Sequence, residues 1–201
     1  MTALGLRRYT GIFGLVATLI SLTDIPLYFM YTGAPPQWDI LTRVLVGIVS
    51  STILIVFLVG FRMVICQGRP QLEWAATLAL VSGLMWLTFS MVAQSMEAGT
   101  AIVSKTPIDP TVDGVLAPGQ FLLWGAIGRL MTTLFLSASG FAILRGRFIP
   151  AWLAWLAFLV ALFNLAFVPT MFFGYDAAQF YSAVGWGTTA TAPSWSSGGS
   201  S

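Results

Sequence analysis

Charge, histidine and cysteine are what this sequence lacks. Only 8% of its 201 residues are Asp, Glu, Lys or Arg, where a soluble domain carries roughly 25%. Nine basic and seven acidic side chains cannot cover a water-facing surface for a chain of this length. There is no histidine, which excludes histidine-ligated haem, zinc and copper sites and histidine acid–base catalysis. The single cysteine, Cys66, excludes an internal disulfide. No basic run suits a nucleic acid, and no glycine-rich phosphate loop is present. No metal site and no cofactor are therefore expected, and proton chemistry would fall to Asp, Glu, Tyr or Cys.

What is present is apolar. Hydrophobic residues make up 57% of the chain and the mean hydropathy is +0.87. The class is an all-α polytopic integral membrane bundle. Runs of the ~20 residues needed to span a bilayer occur five times, near 9–31, 40–65, 73–97, 120–144 and 149–173. Together they predict one transmembrane domain over 1–174, with its first span retained rather than cleaved. A long loop, 98–119, contains Pro107, Pro110 and Pro118 and reads as irregular. The tail 175–201 carries aromatics and then turns Ser/Gly-rich, which predicts flexibility.

Basic residues set the direction. Arg7, Arg8, Arg62, Arg69, Arg145 and Arg147 fall on one side of a five-span topology, and Lys105 on the other. Cytoplasmic loops concentrate Lys and Arg, so the N-terminus is expected in the cytoplasm and the C-terminus outside. Asp39, Asp109 and Asp113 then read as acidic residues of the outer loops.

Four ionisable residues remain inside spans: Asp24, Arg43, Glu97 and Arg129. At 1.5 Å per residue, Asp24 lies about 10 Å below the outer surface and Arg129 about 14 Å. A lone charge at a helix centre costs about 2.5–3.5 kcal/mol on insertion scales. Two acids and two arginines on four different helices are therefore expected to meet and cancel in the interior. The neighbours share polar stripes with them. Ser21, Asp24, Tyr28 and Tyr31 lie on one face of span 1, and Arg43, Gly47, Ser50 and Ser51 on one face of span 2. Ser90, Gln94 and Glu97 share a face of span 3, and Gly125, Arg129, Thr132 and Thr133 a face of span 4. Asn164 is the polar residue of span 5. Pro26 would free the carbonyl of Leu22 and bend span 1 beside Asp24.

A pocket in the outer half of the bundle follows from this set. Asp24 and Glu97 are its candidate catalytic carboxyls, as general acids. Arg43, Arg129, Tyr28, Gln94 and Asn164 are candidate binding groups, with Trp86, Phe89 and Trp124 as an aromatic lining. An aromatic lining suits an apolar substrate or a cationic intermediate.

The segments "GRLMTTLFLSASGFAILRGRFIPAWLAWLAFLVALFNLAFVP" and "GYDAAQFYSAVGW" resemble the C-terminal half of a bacterial family of small multi-pass membrane proteins, described only as a domain of unknown function. The resemblance implies a bacterial cytoplasmic membrane and assigns no catalytic residue.

Three functions fit these residues. The first is an enzyme on a hydrophobic substrate, an isoprenoid or lipid, using a carboxyl general acid as membrane-bound terpene cyclases do. The second is a binding or transport module for a small amphiphile, and the third an accessory subunit of a membrane complex. The partners expected are membrane lipids, a hydrophobic small molecule, and an oligomer or complex partner, with no nucleic acid.

Overall fold

Inside a bilayer each backbone N–H needs a partner within its own segment, which leaves helices as the natural form for long apolar runs. A computed structural model of the chain is helical accordingly. It describes residues 3–31, 34–67, 69–110, 115–169 and 172, and among these there is no strand. Asp113 and the tail 175–201, read above from the sequence, lie outside the described residues.

The helices are α1 (Ala3–Phe29), α2 (Gln37–Cys66), α3 (Glu73–Val103), α4 (Ala117–Leu122), α5 (Gly128–Gly146) and α6 (Ala151–Phe167). A 3-10 turn, Pro70–Leu72, leads into α3, and a π-helical segment, Leu123–Ile127, joins α4 to α5. Four rods are long and apolar enough to cross a membrane: Leu4–Leu27, Gln37–Cys66, Pro70–Val103 and Ala117–Gly146. The fifth, α6, has 17 residues, or about 25 Å of helix, set against a hydrocarbon core of about 30 Å.

Local chemistry sets the ends. Pro36 sits extended (φ −67°, ψ 151°) and α2 starts directly after it. At the far end of α5, Arg147 takes a left-handed conformation (φ 49°), and its amide donates to the carbonyl of Ile143 at 2.8 Å. Pro150 then opens α6. Two of the boundaries that differ from the sequence reading bear on the site. The third span runs six residues past Glu97, because "AGTAIV" continues the helix until Ser104 turns extended. The second begins at Gln37 rather than 40, which brings Asp39 into its first turn. α1 passes through Pro26 without ending.

The rods pack in a row. α1 lies against α2, α2 against α3, α3 against the α4–α5 rod, and α5 against α6. The register of the α2–α3 pair is regular and antiparallel. Arg43 faces Glu97, Gly47 faces Gln94, Leu58 faces Gly83 and Arg62 faces Thr77. At the Arg62 end, an ion pair from Arg62 to Glu73 (3.1 Å) closes the α2–α3 turn. Beside it lies an apolar cluster of Ile65, Leu72, Ala75, Ala76 and Ala142. Large apolar side chains such as Leu15, Trp155 and Leu162 point outward, while Asp39, Arg43 and Glu97 are buried. This inversion of the usual soluble pattern fits a lipid surround.

Candidate functional site

The site begins with the spacing of two residues on one helix. Asp39 and Arg43 are four apart, so they lie one above the other on the first turns of α2. The Arg43 Nε stands 3.4 Å from the Asp39 Oδ2. Position 39 also lies in the first turn of the helix, where the aligned backbone dipoles favour a negative charge. From α3, Glu97 completes the group, with its Oε1 3.2 Å from the Arg43 Nη2. Asp39 is 0% exposed, Glu97 2% and Arg43 5%. Such burial separates this group from a surface ion pair, which is worth little.

Asp39 was expected in an outer loop and as no part of the site. Its helical placement and full burial correct that reading. The i, i+4 spacing to Arg43 was the available signal. Gln120 was also missed. It is buried, and its Nε2 donates to the carbonyl of Ala93 at 2.8 Å. Nothing in the apolar "GQFLLWG" run marks it in advance.

The expected four-ion cluster forms in part. Arg43 and Glu97 meet as expected. Asp24 is half-buried on α1 and lies within electrostatic reach of Arg43 and Asp39, but beyond ion-pair distance. Arg129 does not join them. Its guanidinium stands over the Phe167 ring at 4.8 Å, and it is not among the charges acting on Glu97. The reason is depth. Gly128 packs beside Trp86, which is eleven residues, about 16 Å, below Glu97 along α3. Asn164 lies further off on α6, where its Nδ2 donates to its own helix at Val160 (2.9 Å). The side chain of Tyr28 lies outside the described residues.

Several buried acceptors on α1 to α4 have no hydrogen-bond donor among the described residues. They are Asp24 Oδ1, Asp39 Oδ1, Gln94 Oε1 and Gln120 Oε1. Gln94 lies flat on Gly47, where a β-carbon would stand 2.6 Å from its amide nitrogen. Glycine at 47 is thus what lets the amide enter the seam.

Further down the same seam lies an apolar cavity of about 190 Å³. It is lined from α2 by Leu54, Phe57 and Leu58, from α3 by Gly83, Trp86 and Leu87, and from α5 by Thr132, Phe135 and Leu136. Trp86 is therefore a lining residue as expected. Phe89 and Trp124 are not among the lining residues, and Trp124 is 41% exposed. The polar group and the cavity share one face of each helix: Arg43, Gly47, Ser50 and Leu54 recur at helical spacing on α2, and Leu87, Ser90, Gln94 and Glu97 on α3. The α1 helix covers the middle of this stretch, where the hydroxyls of Ser21 and Ser50 meet at 2.6 Å.

The arrangement can hold charge, accept hydrogen bonds and take up an apolar chain. Among the described residues no group of three His, Cys, Asp or Glu side chains is placed to hold a metal ion. Comparison with protein-family models, with characterised proteins and with solved structures yields no match.

Proposed function

We propose that this protein is a membrane-embedded binding module for a small amphiphile, its N-terminus in the cytoplasm and its polar cluster in the outer half of the bilayer. One observation carries the reading. A buried, acceptor-rich ionic cluster and an apolar cavity lie on the same α2–α3 seam, about 16 Å apart, eleven residues on each helix. A polar head at Arg43, Asp39 and Glu97 and a chain reaching the level of Trp86 would use both. Gln94 lies between them, and its unpartnered carbonyl gives it little to lose on swinging aside.

Binding is favoured over acid catalysis by size and distance. Ligand pockets commonly enclose about 300–1,000 Å³. A cavity of about 190 Å³ suits a segment of chain better than a folded isoprenoid. A general acid must also come within about 3 Å of the atom it protonates, and Glu97 stands far from the cavity along α3. The hydrophobic ligand, with membrane lipid as its source, remains the partner. The bacterial cytoplasmic membrane implied by the sequence resemblance belongs to the same proposal.

The test is saturable binding. Purified full-length protein in phosphatidylcholine nanodiscs is titrated with a dodecyl-chain amphiphile, and the signal of empty nanodiscs is subtracted. A saturable component lost in Leu136→Trp, which fills the cavity, is the expected result. Uptake that scales linearly with concentration and is indifferent to Leu136→Trp contradicts the proposal.

A further inference from the structure

The identity of the head group can be narrowed from the charges around Arg43 and from the buried amide oxygens on α3 and α4. On the acceptor side stand the carboxylates of Asp39 and Glu97, both buried. Asp24 and Asp109 lie within electrostatic reach of Glu97. Arg43 is the cation acting on Glu97. Arg129 is stationed at Phe167, and Lys105 is exposed. The cluster is therefore acidic around a single guanidinium.

An acidic cluster alone would name no ligand. The second observation is independent of charge. Two neutral amides, on α3 and α4, carry buried oxygens within one turn of Glu97 along α3. Gln94 is 9% exposed and Gln120 is 4% exposed, and the Oε1 of each lacks a donor among the described residues. Gln94 is three residues before Glu97 on α3. Gln120 is anchored by its nitrogen to the carbonyl of Ala93, one turn before Glu97. That bond fixes which end of the Gln120 amide is the acceptor, since only its NH2 can donate. Buried acceptors without donors are costly and uncommon in native interiors. Charged and neutral acceptors thus agree on what is wanted: a positive group that donates several hydrogen bonds.

We propose that the head group recognised here is a protonated amine, –NH3+ or –NH2+–, on an apolar chain. An anionic or zwitterionic phosphate head would add acceptors to a place already in excess of them. A quaternary ammonium would match the charge and supply no N–H donor. This inference rests on the amphiphile-binding reading above and specifies its ligand class.

The experiment compares three probes of equal chain length on the full-length protein in phosphatidylcholine nanodiscs: dodecylammonium, dodecyltrimethylammonium and dodecyl sulfate. The expected result is saturable binding of dodecylammonium at least tenfold tighter than either of the others. Asp39→Asn/Glu97→Gln should remove that preference without weakening the sulfate. Gln120→Met, which deletes an acceptor without changing charge, should weaken the amine several-fold and keeps the test independent of whether the double variant folds. Equal or tighter binding of dodecyl sulfate, lost in Leu136→Trp, overturns the amine assignment and leaves amphiphile binding standing. Saturable binding of none of the three overturns both.

Discussion

The Arg43 guanidinium and the Glu97 carboxylate meet at 3.2 Å across the α2–α3 interface, both almost wholly buried. Because Asp39 holds the same guanidinium from one turn away, the three groups form one unit. Removing a single partner from a buried ion pair leaves a charge without compensation and costs about 3–5 kcal/mol. Arg43→Gln is therefore expected to lower the unfolding temperature of the protein in detergent sharply. Arg43→Gln/Glu97→Gln should be less destabilised than the two single losses added together. A strictly additive cycle would show that the two residues do not interact.

The α1–α2 contact depends on a smaller bond. Ser21 and Ser50 share a hydrogen bond of 2.6 Å, and Ser50 also donates to the carbonyl of Ala17. Side-chain hydrogen bonds between membrane helices average about 0.6 kcal/mol. Ser50→Ala is expected to cost about that much, read as a shift of a degree or two in thermal melting. A loss as large as that of Arg43→Gln would mean that Ser50 belongs to the ionic unit.

Helix α6 is fixed to α5 by close approach at Gly140. A β-carbon there would lie 3.2 Å from both the carbonyl of Ala154 and the ring of Phe158. Gly140→Leu must push the helices apart, and overpacking of this kind costs about 1–3 kcal/mol. Limited proteolysis should then cut the loop 147–150 faster in the variant. An unchanged digestion rate would contradict the tight α5–α6 contact.

Topology is testable with the one native thiol removed. In a Cys66→Ser background, Gln71→Cys and Lys105→Cys place exposed thiols at opposite ends of α3. A membrane-impermeant maleimide applied to intact cells is expected to label position 105 and spare position 71. Labelling of 71 alone would invert the orientation drawn from the arginines.

Much of the fold was legible because the hydrocarbon core constrains it so strongly. Length and apolarity placed the rods, and the periodic stripe Arg43, Gly47, Ser50 and Ser51 placed the α2 face. The site was legible only in part. Asp39 lies between a proline-rich turn and an apolar run, so a hydropathy reading assigns it to the loop, whereas the helix begins directly after Pro36. Arg129 shares the sign of Arg43, but Gly128 packs beside Trp86, about 16 Å below Glu97 along α3, and the Arg129 guanidinium lies over Phe167. Depth along a helix can be read from residue numbers. The register of one helix against the next cannot, and that register decided which charges meet. The cavity was invisible in advance for the same reason, since it exists only where Gly83 of α3 and the side chains of α2 and α5 leave space.

The most direct test is to locate a bound chain. A dodecylammonium carrying a diazirine at its chain end is photolysed with the full-length protein in nanodiscs, and labelled peptides are mapped by mass spectrometry. Saturable labelling of Leu54, Leu58, Trp86 or Leu136, suppressed by excess dodecylammonium and lost in Asp39→Asn/Glu97→Gln, is the expected result. Labelling spread over outward-facing residues such as Leu15, Trp155 and Leu162, without saturation or competition, would contradict a binding site on the α2–α3 seam.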